Sequence, residues 1–221
     1  MLCFGVKGIG AFCSKGICLG ESFKVRDFCL QEFRLDSIPP LERRRLGNAT
    51  KCAFSLFGDF CFKTQPKIIF SSYSGELNAC LNLLRCLDKE SFVSPTQFSL
   101  SVLNATPSNL AIATQNQNEI STISGMPSLE YGLINVNPKD ETLLIVYEEF
   151  LKQESFDYLM VMLHLCEKDF IKKIELDFKD CESWNLNDDY HPLKLIKYFY
   201  DSTPKQWNNH SNNLFWRWNI K

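Results

Sequence analysis

Residues 66–87 read PKIIFSSYSGELNACLNLLRCL, and this stretch decides the fold class. Lys67-Ile68-Ile69-Phe70-Ser71-Ser72 is short and nearly all apolar, the composition of a strand covered on both faces. Ser74-Gly75-Glu76 makes a tight turn, after which Leu77, Leu81, Leu84 and Leu87 recur at helical spacing. A buried strand leading straight into a helix is a βα unit, so the expected class is α/β, a central mixed sheet with helices packed on it. The turn is not a phosphate loop, because it holds one glycine and no lysine follows it.

Working outward, Thr142 to Tyr147 (TLLIVY) reads as a second central strand, and Tyr158 to Leu165 with Ile171 to Phe178 as a further strand pair. Phe4 to Phe12 (FGVKGIGAF) alternates apolar residues with glycine, which suits a first strand closely approached by its neighbours. Pro39 and Pro40 are suited to open a helix whose apolar face is Leu41, Ala49, Cys52, Ala53, Leu56, Phe57 and Phe60. The Ser-, Thr- and Asn-rich stretch from 94 to 136 reads as a layer of buried turns. His191 to Tyr200 holds a short amphipathic helix with Leu193, Ile196 and Phe199 inward. The Asn- and Trp-rich tail, 203–221, receives no element. With no internal repeat and no long linker, one domain over 1–221 is expected.

Charge and composition exclude several classes. Twenty-four Lys and Arg against 26 Asp and Glu give a net charge of −2, which offers nucleic acid no broad attractive field. Apolar residues make up 45% of the chain and Phe occurs 18 times, enough for a sizeable core. The ten cysteines (3, 13, 18, 29, 52, 61, 80, 86, 166, 181) form no CxxC pair, which argues against a zinc framework and for reduced, buried thiols. The start, MLCFGVKGIGAFCSKG, does not have the pattern of a signal peptide, and no apolar run approaches the ~20 residues a membrane helix needs. A soluble protein of the reducing cytoplasm is expected.

No catalytic constellation is visible. His164 sits in an apolar run as a core histidine, His191 precedes a proline, and His210 lies in the tail. The pairs Glu148-Glu149 and Asp188-Asp189 read as solvated surface charge, and Cys80 and Cys86 as core positions of a helix. Arg43, Arg44 and Arg45 stand in the first turns of a predicted helix, where positive charge opposes the dipole. They are either solvated or set to meet an acidic partner.

Four blocks in order resemble the β-ketoacyl synthase N-terminal domain, in its small half-length form: Ile38 to Leu46 (IPPLERRRL), Ile69 to Glu76 (IFSSYSGE), Ser94 to Ala105 (SPTQFSLSVLNA), and Ser121 to Leu133 (STISGMPSLEYGL) running into Leu143 to Tyr147. The third block is the specific one. The resemblance implies a thiolase-like architecture, half of a ketosynthase fold. Relatives of this kind act as chain-length-factor-like partners of a full ketosynthase in aryl polyene biosynthesis. Two departures are visible: the family's usual histidine after Ser-Val is Leu103 here, and Thr106-Pro107-Ser108-Asn109 replaces the small-residue segment that follows.

In active ketosynthases a nucleophilic cysteine ends this half at a strand-to-helix turn. By the resemblance that position falls at or near Ser124, and no cysteine lies between Cys86 and Cys166. The supporting histidines belong to the second half, which this chain lacks. A serine without a base is a poor nucleophile. The expected role is therefore a non-catalytic subunit in a heterodimer with a full-length β-ketoacyl-ACP synthase, helping to shape its acyl tunnel. Phe98, Leu100, Asn104, Gly125 and Met126 are the candidate tunnel or interface residues, and Arg43 to Arg45 the candidate carrier-protein contact. No metal or cofactor is implied. The competing reading is a stand-alone acyl hydrolase or acyltransferase with Ser124 as nucleophile, assisted by one of the three histidines.

Overall fold

The computed structural model describes residues 1–15, 27–152, 155–180, 191–201, 203, 205–211 and 214–221. The strands are β1 (Leu2–Cys13), β2 (Cys29–Leu30), β3 (Lys67–Ser72), β4 (Ile120–Ser124), β5 (Thr142–Lys152), β6 (Ser155–Cys166), β7 (Lys172–Asp180), β8 (Lys205–Ser211) and β9 (Leu214–Ile220). The helices are α1 (Pro40–Arg43), α2 (Asn48–Phe57), α3 (Leu77–Glu90), α4 (Pro95–Ser101), α5 (Ala105–Ala113), α6 (Ser128–Ile134) and α7 (His191–Phe199). The strands form one mixed sheet in the order β4-β3-β5-β6-β1-β7-β9-β8, with β2 added beside β1. β3 runs parallel to both β4 and β5, and the pairs β5–β6, β6–β1, β1–β7, β7–β9 and β9–β8 are antiparallel.

Strand alternation sorts the core into two faces. On one face, Ile68 and Phe70 of β3 and Leu143, Ile145 and Tyr147 of β5 pack under Ala49, Cys52, Ala53 and Leu56 of α2 and Leu110 of α5. Small residues on α2 let the helix approach the sheet closely, and Phe60 lies over β1, where a Cβ at Gly10 would come within 3.3 Å of its ring. On the other face, Ile69, Leu144 and Val146 pack with Leu129 and Leu133 of α6, Leu195 and Ile196 of α7, and Trp207, Trp216 and Trp218 of the C-terminal hairpin. Each fully buried leucine or isoleucine here contributes roughly 1.5–3 kcal/mol relative to exposure.

Several expectations are corrected. The helix expected from Pro39 onward is two pieces, α1 and α2, because the chain turns at Gly47 before α2 begins, and Leu41 is left 74% exposed. The stretch from 94 to 136 is not buried turns but three short helices and one strand. β6 and β7 are both strands, yet they do not pair: β1 lies between them and pairs with each. The tail forms the β8–β9 hairpin, closed by Trp207 stacked on Trp218 at 5.0 Å between ring centroids. The leucine stripe of α3 does not face inward, since Leu84 and Leu87 are exposed. Asp188-Asp189, Cys18 and Cys181 lie outside the described residues.

Candidate functional site

The parallel strands β4, β3 and β5 end side by side, the place where an open α/β sheet presents its ligand-facing turns. Ser72 is in register with Ser124, and Ser71 with Val146, so the Ser72–Glu76 turn, the Ser124–Pro127 turn and Tyr147–Glu149 sit along one rim. The hydroxyl of Ser71 donates to the carbonyl of Ser128 at 2.6 Å, tying β3 to the start of α6.

Three buried glutamates underlie this rim, which overturns the solvated reading of Glu148-Glu149. Glu148 accepts from the amides of Tyr73 and Ser74, both at 2.8 Å, and from the Ser74 hydroxyl at 2.6 Å. Glu149 accepts from the Asn78 amide at 2.7 Å, in the first turn of α3, and from the Tyr147 hydroxyl at 2.6 Å. Glu76 accepts from the Ala49 amide at 2.9 Å, and from that of Asn48, at the start of α2. Each carboxylate thus meets backbone donors that a turn or helix start leaves unpaired. Burial, followed by the charge of Glu149, pushes the Glu76 carboxyl up to about 7, against the two amides that favour its anion. The same burial and the same carboxylates push Cys52 and Tyr147 well above their ordinary values. The sequence signal for this cluster is that β5 runs from an apolar core directly into two glutamates, while β3 reaches Glu76 after a three-residue turn. Local periodicity does not show which distant amides those glutamates meet.

Ser124 is exposed at the end of β4, and among the described side chains no histidine is placed to activate it. Strand spacing puts His164 roughly 20 Å away, three strands across and four residues along. His164 is buried, as expected, and bonds Glu141 at 2.9 Å under the ring of Phe62. Burial lowers its pKa, against the Glu141 hydrogen bond. His210 lies on β8, at the opposite end of the strand order from β4. The side chains of His191 and His210 fall outside what the structure describes. Among the described residues, no group of three or more His, Cys, Asp or Glu could hold a metal ion.

β4 is the outer strand at this end of the strand order; its first residue, Ile120, and Ile112 of α5 at 76% exposure lie at the end of the strand away from the rim. Phe98 (59% exposed) and Met126 (47%) project from α4 and the β4–α6 turn, so neither is a core residue. Asn104 is exposed, while Leu100 and Gly125 are half-buried, with Tyr131 packed close over Gly125. Tyr73, Leu84, Leu87 and Phe92 extend the apolar surface along α3. Of the three arginines, Arg43 is engaged with the carbonyls of Ile38 and Asp36, whereas Arg44 and Arg45 are exposed. Among the described residues, no helix is long and apolar enough to cross a membrane.

Comparison with known proteins gives two findings. Residues 27–219 match the family model described as "Beta-ketoacyl synthase, N-terminal domain". The fold is similar to one chain of the ketosynthase ApeO in complex with its chain length factor ApeC from Xenorhabdus doucetiae, with a TM-score of 0.70, 16% identity and 99% of each chain covered. It is also similar to the ishigamide ketosynthase/chain length factor, with a TM-score of 0.55 and 11% identity over 81% of this chain and 68% of that one. No curated protein matches the sequence.

Proposed function

Because this chain belongs to the β-ketoacyl synthase N-terminal domain family, we propose that it is a non-catalytic, chain-length-factor-like subunit that pairs with a full-length β-ketoacyl-ACP synthase. One observation carries the reading: an outer strand, β4, bordered by the exposed Ile112, Ile120, Phe98 and Met126. Among the described residues this strand edge is uncovered, and an uncovered edge with exposed apolar side chains at both ends is costly in water and calls for a covering partner. The fold shared with a ketosynthase and chain length factor complex supports a ketosynthase as that partner.

In this reading Phe98, Leu100, Asn104, Gly125 and Met126 lie at the interface or along the tunnel that receives the growing acyl chain. Ser124 takes the place of the nucleophile without its function, since a hydroxyl with no base nearby does not form an acyl-enzyme. Arg44 and Arg45 would meet the acidic surface of an acyl carrier protein, with Arg43 bracing the loop beneath them. The product would belong to fatty-acid or polyketide-type chemistry of the aryl polyene kind, in the cytoplasm.

The test is co-expression with full-length ketosynthases encoded nearby, followed by size-exclusion chromatography with mass determination. A stable one-to-one complex is expected, and the double substitution Ile120→Asp, Met126→Asp should abolish it. A well-behaved monomer that pairs with no ketosynthase offered would sink the proposal.

A further inference from the structure

The buried glutamates under the rim bind backbone amides of two helices and a turn, and their arrangement points to a further role. Glu76 follows the turn after β3, and its carboxyl reaches back to the first amides of α2. Gly47 makes room for it: a Cβ there would lie 2.3 Å from Oε1 of Glu76. Glu149 holds the start of α3 through Asn78, and Glu148 holds the turn between through Tyr73 and Ser74. Three carboxylates therefore join α2, the turn and α3 into one buried joint beneath the exposed Tyr73, Leu84 and Leu87.

We propose that the proton on Glu76 is a conformational switch: the neutral carboxyl keeps this joint closed, and its loss loosens the starts of α2 and α3. The groups facing Glu76 are Lys51 and Cys52 from α2 and Tyr147 and Glu149 from β5, with Glu148 in the joint and Tyr158 of β6 beyond Cys52. Lys51 is the one cation among them, and it is outweighed by burial and by Glu149. Loss of the proton to solvent therefore adds a negative charge to a buried site that already holds Glu149 and has Lys51 as its cation. Two amides remain to hold the anion, and it must either draw in water or leave the start of α2. Because the carboxyl titrates at about 7, the change falls within the physiological range. Its effect on pairing rests on the partner reading above, while the switch itself does not.

Amide hydrogen exchange on the full chain alone tests the switch. Exchange at Asn48, Ala49 and Asn78, corrected for intrinsic rate, should lose protection by about tenfold or more between pH 6 and pH 8, a population shift an order of magnitude above noise. Glu76→Gln should keep the acceptor, remove the titration and show a flat profile. Glu149→Gln is the second variant, needed if Glu76→Gln fails to fold, and should move the midpoint downward in pH, because removing the Glu149 charge removes a cost of ionising Glu76. A flat wild-type profile, an unchanged slope in Glu76→Gln, or a midpoint unmoved by Glu149→Gln would overturn the switch. Affinity for the ketosynthase across the same pH range is the separate readout: a switch that titrates while no pairing occurs at any pH strikes the partner reading instead.

Discussion

Glu76 and Glu141 stand at opposite ends of the parallel strands, and each accepts two backbone amides. Their ionisation is nevertheless displaced in opposite directions. At Glu141, just before β5, burial favours the neutral acid but is outweighed by the Thr64 hydroxyl, the amides of Thr64 and Lys63, and His164, which together hold it down to about 2. At Glu76 burial is deeper and the nearest carboxylate, Glu149, adds to it, so the group rises to about 7. Amide donors alone therefore do not decide the charge of a buried glutamate. What decides it is first how deeply the group is buried, and then whether the remaining neighbours are donors or another carboxylate.

The largest expected effect follows from Glu76. Its raised value means that its contribution to stability is full below its ordinary value of 4.5 and is lost as pH rises through about 7. The loss is about 3 kcal/mol, from the linkage between pKa and stability. Urea unfolding at pH 5 and pH 8 should show that fall in the wild type and a much smaller one in Glu76→Gln. Glu141 has the opposite sign: its stabilisation is present above 4.5 and lost as pH falls toward about 2. Glu141→Ala should cost about 2 kcal/mol at neutral pH, because it strips the buried His164 of its partner and frees the Lys63 and Thr64 amides. A cost near zero in chemical denaturation would show that water replaces Glu141 fully.

Gly47→Ala sharpens the contrast at smaller cost. The backbone there (φ −67°, ψ 168°) accepts alanine, so the effect is the collision with Glu76 alone. Displacing the carboxyl from the start of α2 should cost about 1 kcal/mol, the scale of a lost helix cap. It should also weaken the pH dependence, since a Glu76 turned toward water titrates nearer its ordinary value. An alanine variant with full stability and an unchanged slope would mean that Glu76 holds its position without Gly47.

How much of this was legible beforehand differs between fold and site. β3 is the predicted Lys67–Ser72 residue for residue, and α3 begins at the predicted Leu77, because apolar runs and turn residues are local signals. Strand neighbours are not local: β6 and β7 are separated by β1, which enters from the other end of the chain. Burial of Glu148 and Glu149 escaped for the same reason, since their backbone donors lie 71 to 75 residues away. The leucines of α3 read as core because spacing marks one face of a helix without saying what that face meets. Phe98 and Met126 were identified as contact candidates by the family resemblance, and both side chains are exposed.

The smallest expected effect concerns Ser124, at the same rim as Glu76. It is exposed and roughly 20 Å from His164 by strand spacing, so nothing in the described structure would remove its proton. Ser124→Ala should change unfolding free energy by less than about 0.5 kcal/mol, the usual range for a surface position. It should leave complex formation with a ketosynthase intact, as well as the chain length that the complex produces. The contrast with Ile120→Asp, Met126→Asp then separates two meanings of the rim. If the aspartates abolish pairing and the alanine does nothing, the rim acts through its surface and not through a nucleophile. Acyl thioester hydrolysis that disappears with Ser124→Ala would reverse that order, and the base serving Ser124 would have to come from residues beyond those described.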